Sequence, residues 1–189
     1  MIIAFFQFLS YLLAFLLPIQ KDEYVYKKVG DIKIDAIVYQ PTYNTSTING
    51  LKSPILLVIH GGAYVLGEKD GDGALAHREI QELSSRGWTI VSINYRLAPP
   101  AFLSDIVEDV QSAYEWIKHK LPKRNPSPID TNLIVVLGRS SGGGLALISG
   151  YKFDPRPTAI ISFFPYCSNF LDGYAYDPTR FPSNTLLNK

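Results

Sequence analysis

Four short apolar runs, alternating with stretches of helical pattern, constrain this chain more than any other feature. They are Ile55-Leu56-Leu57-Val58-Ile59, Trp88-Thr89-Ile90-Val91-Ser92-Ile93, Leu133-Ile134-Val135-Val136-Leu137 and Thr158-Ala159-Ile160-Ile161-Ser162-Phe163-Phe164. Runs so poor in polar alternation have no face to offer water, which is the condition of strands in a parallel sheet covered on both sides by helices. Between them, residues 74–85 have helical composition and end at Arg86-Gly87. Residues 104–121 place Ile106, Val110, Ala113, Tyr114, Ile117 and Leu121 at helical spacing, with Ser104 as the candidate N-cap and Pro122 just beyond. Residues 142–151 form a third helical stretch, rich in small side chains. Strand and helix in strict alternation predict an α/β layered fold with a mainly parallel sheet. Function in such sheets gathers at the carboxyl ends of the strands, so the loops after Ile59, Ile93, Leu137 and Phe164 carry the interest.

The flanks read differently. Tyr24, Tyr26, Ile32 and Ile34 alternate across the turn signal Gly30-Asp31, with Ile37 one residue out of step, which predicts an antiparallel hairpin at the sheet edge. Residues 40–53, with Pro41, Asn44, Asn49 and Gly50, read as loop. Residues 1–20 carry no charge, and a helix over residues 1–17 would be about 25 Å long, close to the lower limit for crossing a bilayer. An uncleaved membrane anchor, a removed signal peptide and an apolar helix packed on the domain remain open; the absence of a basic start and of a small-x-small cleavage site favours the anchor. The sequon Asn44-Thr45-Ser46 fits a lumenal or extracellular face, whether anchored or secreted. The remaining 21–189 form one domain.

Composition closes several function classes. A formal charge of +1 with no basic block argues against nucleic acid as a partner. The single cysteine, Cys167, and the lack of Cys/His clustering at zinc spacing argue against a disulfide framework or a metal site, and no cofactor is indicated. A dinucleotide site built on Gly142-Gly143-Gly144 fails because no G-x-G-x-x-G follows the first strand.

The chemistry is concentrated in two motifs. Gly138-Arg139-Ser140-Ser141-Gly142 is a G-x-S-x-G between a predicted buried strand and a predicted helix. A chain that reverses so sharply strains the serine backbone, and neighbours two positions away on either side must lack a Cβ. The turn projects the Ser140 hydroxyl above the sheet and puts the Ser141 N–H at a helix start, aimed at a developing oxyanion. The bland alternative is a glycine-rich helix start that merely packs closely on its strand. The second motif, His60-Gly61-Gly62-Ala63-Tyr64, closes the strand over 55–59. Its glycines let backbone N–H groups approach a substrate, making Gly61 and Gly62 candidates to complete an oxyanion hole with Ser141. His60 is read as structural support of that loop and not as a base.

In order along the chain, HGGAY, NYRLAP at residues 94–99, a helix with Asp109 and Trp116, GRSSGG, and FFPY at residues 163–166 resemble the motif series of the hormone-sensitive-lipase-like esterases, the α/β-hydrolase fold-3 group. The resemblance covers about residues 24–172. It implies a three-layer α/β-hydrolase sandwich and hydrolysis of small or acyl-chain carboxylic esters, with Ser140 as nucleophile and Gly61, Gly62 and Ser141 as oxyanion donors. Tyr95, Arg96 and Asp109 look like scaffold positions of that family. Three positions depart from its pattern: Ala63 stands for a third glycine, Arg139 for an acid and Ser141 for an alanine. In this fold the triad runs Ser, then Asp or Glu, then His. All three histidines, His60, His77 and His119, precede Ser140, and only Asp154, Asp172 and Asp177 follow it as acids. The expectation is therefore the N-terminal part of a hydrolase, without its C-terminal strands and weakly active as it stands. The alternative is a non-catalytic interaction or scaffold protein on a hydrolase fold.

Overall fold

The structure is a computed structural model that describes residues 17–42 and 51–166. The apolar run over residues 1–16, the sequon at Asn44, Cys167, Asp172 and Asp177 lie outside the described residues. The elements in chain order are β1 (Lys21–Val29), β2 (Ile32–Tyr39), β3 (Ser53–Ile59), α1 (His77–Ser85), β4 (Thr89–Ile93), α2 (Leu103–His119), a 3-10 turn (Leu121–Lys123), β5 (Ile129–Arg139), α3 (Ser141–Lys152) and β6 (Ala159–Phe163). They build one six-stranded sheet in the order β1-β2-β4-β3-β5-β6. The pairs β4–β3, β3–β5 and β5–β6 are parallel, while the β1–β2 hairpin joins β4 antiparallel.

The continuous apolar runs exist because alternate residues enter two cores. Ile55, Leu57 and Ile59 of β3, Val91 and Ile93 of β4, and Ile134 and Val136 of β5 face the core built with α2 and α3. Leu56 and Val58, Ile90, and Val135 and Leu137 face the other, where Ala74, Leu75 and Ile80 cover the sheet. The same division explains why Ile37 falls out of step. Ile34, Ala36 and Val38 enter the first core while Ile37 and Tyr39 enter the second, because β2 lies inside the sheet and only β1 is its edge. Gly30, at φ 56, makes the hairpin turn. Among the described residues β6 is the opposite edge, with Ile161 and Phe163 exposed.

Two helix starts differ from the sequence reading. Ser104 is not the N-cap of α2; Phe102 is, and Asp105 accepts the Phe102 N–H at 2.9 Å. A carboxylate at the third helical position reaches back to the N-cap N–H, a different donor from the one that an N-cap hydroxyl would meet. Likewise α1 begins at His77 and not near residue 74, with the Glu79 carboxylate accepting the Ala76 N–H at 2.8 Å. Residues 73 and 74 are instead committed to backbone contacts at the mouth of the sheet.

Candidate active site

At the carboxyl end of the sheet, β5 ends at Arg139 and α3 begins at Ser141, leaving Ser140 alone at the reversal with φ 53 and ψ −121. A non-glycine residue in that region is strained and persists only where its surroundings over-determine it. They do: the Ser140 N–H donates to the Phe163 carbonyl at 3.0 Å, and the Ser140 carbonyl accepts from the N–H groups of Gly144 and Tyr166, each at 3.1 Å. The flanking glycines are obligatory on steric grounds. A Cβ on Gly138 would lie 2.0 Å from the Gly142 carbonyl oxygen, and one on Gly142 would lie 2.2 Å and 2.4 Å from those of Ile59 and His60. Packing of α3 against β5 and against the end of β3 therefore permits no side chain at either position.

The same contacts bring the two sequence motifs together. Gly61 sits against the Ser140 turn so closely that a Cβ there would be 3.0 Å from the Arg139 oxygen and 3.3 Å from the Ser140 Cβ. Its N–H, however, donates to the Gly73 carbonyl at 3.0 Å. Gly61 is thus committed to holding the loop, and its N–H is not free to meet an oxyanion, contrary to the sequence reading. Among the described residues, the N–H groups of Gly62 and Ala63 take no part in backbone pairing. Gly62 has φ 121 and Ala63 φ 53, so the chain coils tightly here, with the N–H groups of Val65 and Leu66 both donating to the Gly62 carbonyl. The Ser141 N–H stands in the first turn of α3, where no intrahelical acceptor exists. Sequence pattern pointed to the glycines; which N–H is spent depends on residue 73, twelve positions away, which no local signal marks.

His60 is fully buried, its ring stacked on that of Tyr95 with centroids 4.2 Å apart and planes 9° apart. Its Nδ1 lies 2.7 Å from the Gly61 carbonyl oxygen, while the Tyr95 hydroxyl donates to the His60 carbonyl at 2.9 Å. Burial lowers the His60 pKa, opposed by the bond to the Gly61 carbonyl, and burial also raises that of Tyr95, so both rings are neutral. His77 opens α1 on the surface and His119 pairs with Glu115 at 3.2 Å on an exposed face of α2. Among the described residues no imidazole is hydrogen-bonded to Ser140.

Arg139 turns away from the serine. Its guanidinium donates to the Ala74 carbonyl at 2.5 Å and to the Glu79 carboxylate at 2.5 Å, and lies 5.7 Å from the centre of the Phe163 ring. Partial burial would raise the Glu79 pKa, yet the bonds from Arg139 and the Ala76 N–H hold it below its ordinary value. Arg96 and Asp109 are scaffold. The fully buried Asp109 accepts from Arg96 Nε at 2.7 Å, Arg96 Nη2 at 2.9 Å and Lys27 Nζ at 2.8 Å, tying β1 and the loop after β4 to α2.

A family model described as BD-FAE matches residues 38–164. Methylphloroacetophenone synthase of Cladonia uncialis is 36% identical over 154 residues, covering 76% of this chain and 6% of that protein. The non-reducing polyketide synthase prhL of Penicillium brasilianum is 32% identical over 174 residues, covering 87% of this chain and 7% of that protein. Among solved structures, a butyrate-bound thermophilic esterase of Thermogutta terrifontis superposes with a TM-score of 0.62 at 22% identity, over 76% of this chain and 53% of that one. An arylesterase superposes with a TM-score of 0.57 at 24% identity, over 85% and 51% respectively. The chain thus spans about half the length of these esterases and under a tenth of the synthases. The likenesses at the level of fold agree with the layered sheet, and with a family match over most of the described chain, this protein belongs to BD-FAE, an esterase family of the α/β-hydrolase fold.

Proposed function

We propose that this chain carries the acyl-accepting half of a serine carboxylic ester hydrolase, with Ser140 as nucleophile. The Oγ of Ser140 attacks the ester carbonyl carbon and gives up its proton to water, the carbonyl oxygen takes the negative charge, and collapse breaks the bond to the alkoxide, which leaves and takes a proton from water, to give an acyl-serine. The N–H groups of Gly62 and Ser141 meet that oxygen, with Ala63 in the place expected of Gly61. The observation that carries this reading is Ser140 at φ 53 between β5 and α3, with Gly61 packed against it. A strained serine beside unspent N–H groups, at the carboxyl end of a parallel sheet, suits acyl transfer and little else. Leu66, Phe164 and Tyr166 expose apolar surface near this turn, which suits an ester with an apolar acyl or alcohol group.

A base and an orienting acid are not supplied by His60, His77 or His119. An oxyanion hole without them retains roughly 10³–10⁴-fold catalysis over water, enough for slow acylation and too little for prompt deacylation. The test follows from that imbalance. After incubation with p-nitrophenyl acetate, trypsin releases residues 140–152 as one peptide, and mass spectrometry should find the acetyl group on Ser140. Acetylation spread over surface lysines and serines, with none on Ser140, would favour a non-catalytic scaffold instead.

For residues 1–20 the proposal is a membrane anchor that holds the domain at a lumenal or extracellular face. Among the described residues no helix is long and apolar enough to cross a membrane. Release of the intact protein by carbonate extraction would rule insertion out.

A further inference from the structure

We propose that Arg139 is a positioning residue that sets the Ser140 turn against the 61–63 loop, an inference that rests on Ser140 being the nucleophile. Arg139 is the last residue of β5, so any force on its side chain is delivered one bond from Ser140. That side chain, 23% exposed, grips the Ala74 carbonyl in the stretch between the loop and α1, and the Glu79 carboxylate in the first turn of α1. The residue before Ala74 is Gly73, whose carbonyl holds the Gly61 N–H at 3.0 Å. Gly61 in turn touches Arg139 and Ser140, since a Cβ there would fall 3.0 Å and 3.3 Å from their atoms. The links close a ring: Ser140, Arg139, Ala74, Gly73, Gly61 and back to Ser140.

The ring has a purpose that its separate bonds do not. The nucleophile sits on the β5–α3 turn and the oxyanion donors on the β3 loop, two segments with no covalent connection shorter than the chain between them. Their separation must hold within a fraction of an ångström for acyl transfer, and an error of about 1 Å can cost roughly 10²-fold in rate. Hydrogen bonds to Phe163 and Tyr166 fix Ser140 toward β6 but say nothing of its distance from Gly62. Pairing of Ile59 with Gly138 sets the two strand ends side by side, and the Arg139 link carries that constraint past them to the residues that bear the reacting groups. Glu79 completes it by anchoring the guanidinium to the first turn of α1, where its second oxygen accepts the Ala76 N–H. An arginine is required because its planar fork meets a carbonyl and a carboxylate at once while its face lies on Phe163; a lysine ammonium offers one point charge.

The experiment compares wild type, Arg139→Met, Arg139→Lys and Glu79→Ala for acetylation of Ser140 by p-nitrophenyl acetate, at a temperature where tryptophan fluorescence shows each variant folded. The inference expects the first-order acylation constant to fall by roughly 30–100-fold in Arg139→Met and about 10-fold in Glu79→Ala. Arg139→Lys should recover only part of the loss, and the half-saturating ester concentration should not move. A side chain that served stability alone would lower the unfolding midpoint and leave the acylation constant of the folded protein unchanged; that result overturns the inference. Should Arg139→Met not fold, Glu79→Ala decides alone, because Glu79 belongs to α1, outside both motifs, and reaches them only through the Arg139 guanidinium. Wild-type protein that forms no acetyl-Ser140 removes the reading of Ser140 and this inference with it, whereas equal acetylation in wild type and variants removes only the inference.

Discussion

Replacing Gly142 by alanine sets helix propensity directly against packing. Gly142 is the second residue of α3, and in an isolated helix alanine is favoured over glycine by up to about 1 kcal/mol, less in the first turn. In the folded protein the added Cβ would lie 2.2 Å from the Ile59 oxygen, 2.4 Å from the His60 oxygen and 2.9 Å from the His60 carbonyl carbon. Contact at ordinary separation needs roughly 3.5 Å, so the start of α3 must retreat from β3 by about 1 Å. All three atoms are backbone, with Ile59 held by parallel pairing on both sides and the His60 carbonyl by the Tyr95 hydroxyl, and they cannot yield like a side-chain tip. Overpacking of this kind costs about 1–3 kcal/mol, and with two carbonyls struck together the upper end applies. Net destabilisation of about 2–3 kcal/mol is expected, and Ser140 should lose acylation by about 10²-fold because it rides on the displaced helix start. Gly150, in the same helix, is the control, since a Cβ there meets the Cδ1 of Ile160 at 2.3 Å, a group that can rotate away. Gly150→Ala should change stability by under about 1 kcal/mol. Urea unfolding followed by the fluorescence of Trp88 and Trp116 measures both. If Gly142→Ala is as stable as Gly150→Ala, the close approach of α3 to β3 is not a constraint and the steric account of the turn fails.

Asp109→Ala should cost about 3 kcal/mol, measured by the same urea titration, because it removes the buried acceptor shared by Arg96 and Lys27 and leaves them only their partners nearer the surface, Asp105 and Glu108; breaking the exposed Glu82–Arg86 pair should cost under about 0.5 kcal/mol. Burial lowers the His60 pKa, so the unfolded chain takes up this proton at a higher pH than the folded one. Its contribution to stability is complete above the ordinary value of 6.5 and declines as pH falls through the folded value; unfolding midpoints measured from pH 7.5 to 5 should fall less steeply in His60→Gln, and parallel curves would refute this. Turnover of p-nitrophenyl butyrate by residues 1–189 should stay close to background and change little in Ser140→Ala. Efficient hydrolysis lost in both Ser140→Ala and His60→Ala would show that His60 acts as a base despite its stacked, buried ring.

The layered fold was legible in the order of residues alone, because strands buried on both faces and helices buried on one leave patterns of different period that survive without any knowledge of neighbours. So was Ser140 as the residue at the reversal, since glycine two positions before and two after a serine, between strand and helix, answers a local steric demand. The roles of single backbone groups were decided elsewhere. Gly61 and Gly62 are equivalent in the sequence, yet the first spends its N–H on Gly73 and the second does not, because only the fold brings residue 73 to the end of β3. Arg139 reads as a stray cation beside a nucleophile until the tertiary structure supplies Ala74 and Glu79 as its acceptors. Ser104 reads as a helix cap until the fold starts α2 at Leu103, with Phe102 as the N-cap and its N–H held by Asp105. Periodicity is a property of the chain alone, whereas a hydrogen bond belongs to two groups, and when the second lies far off in sequence only the packed structure says which it is.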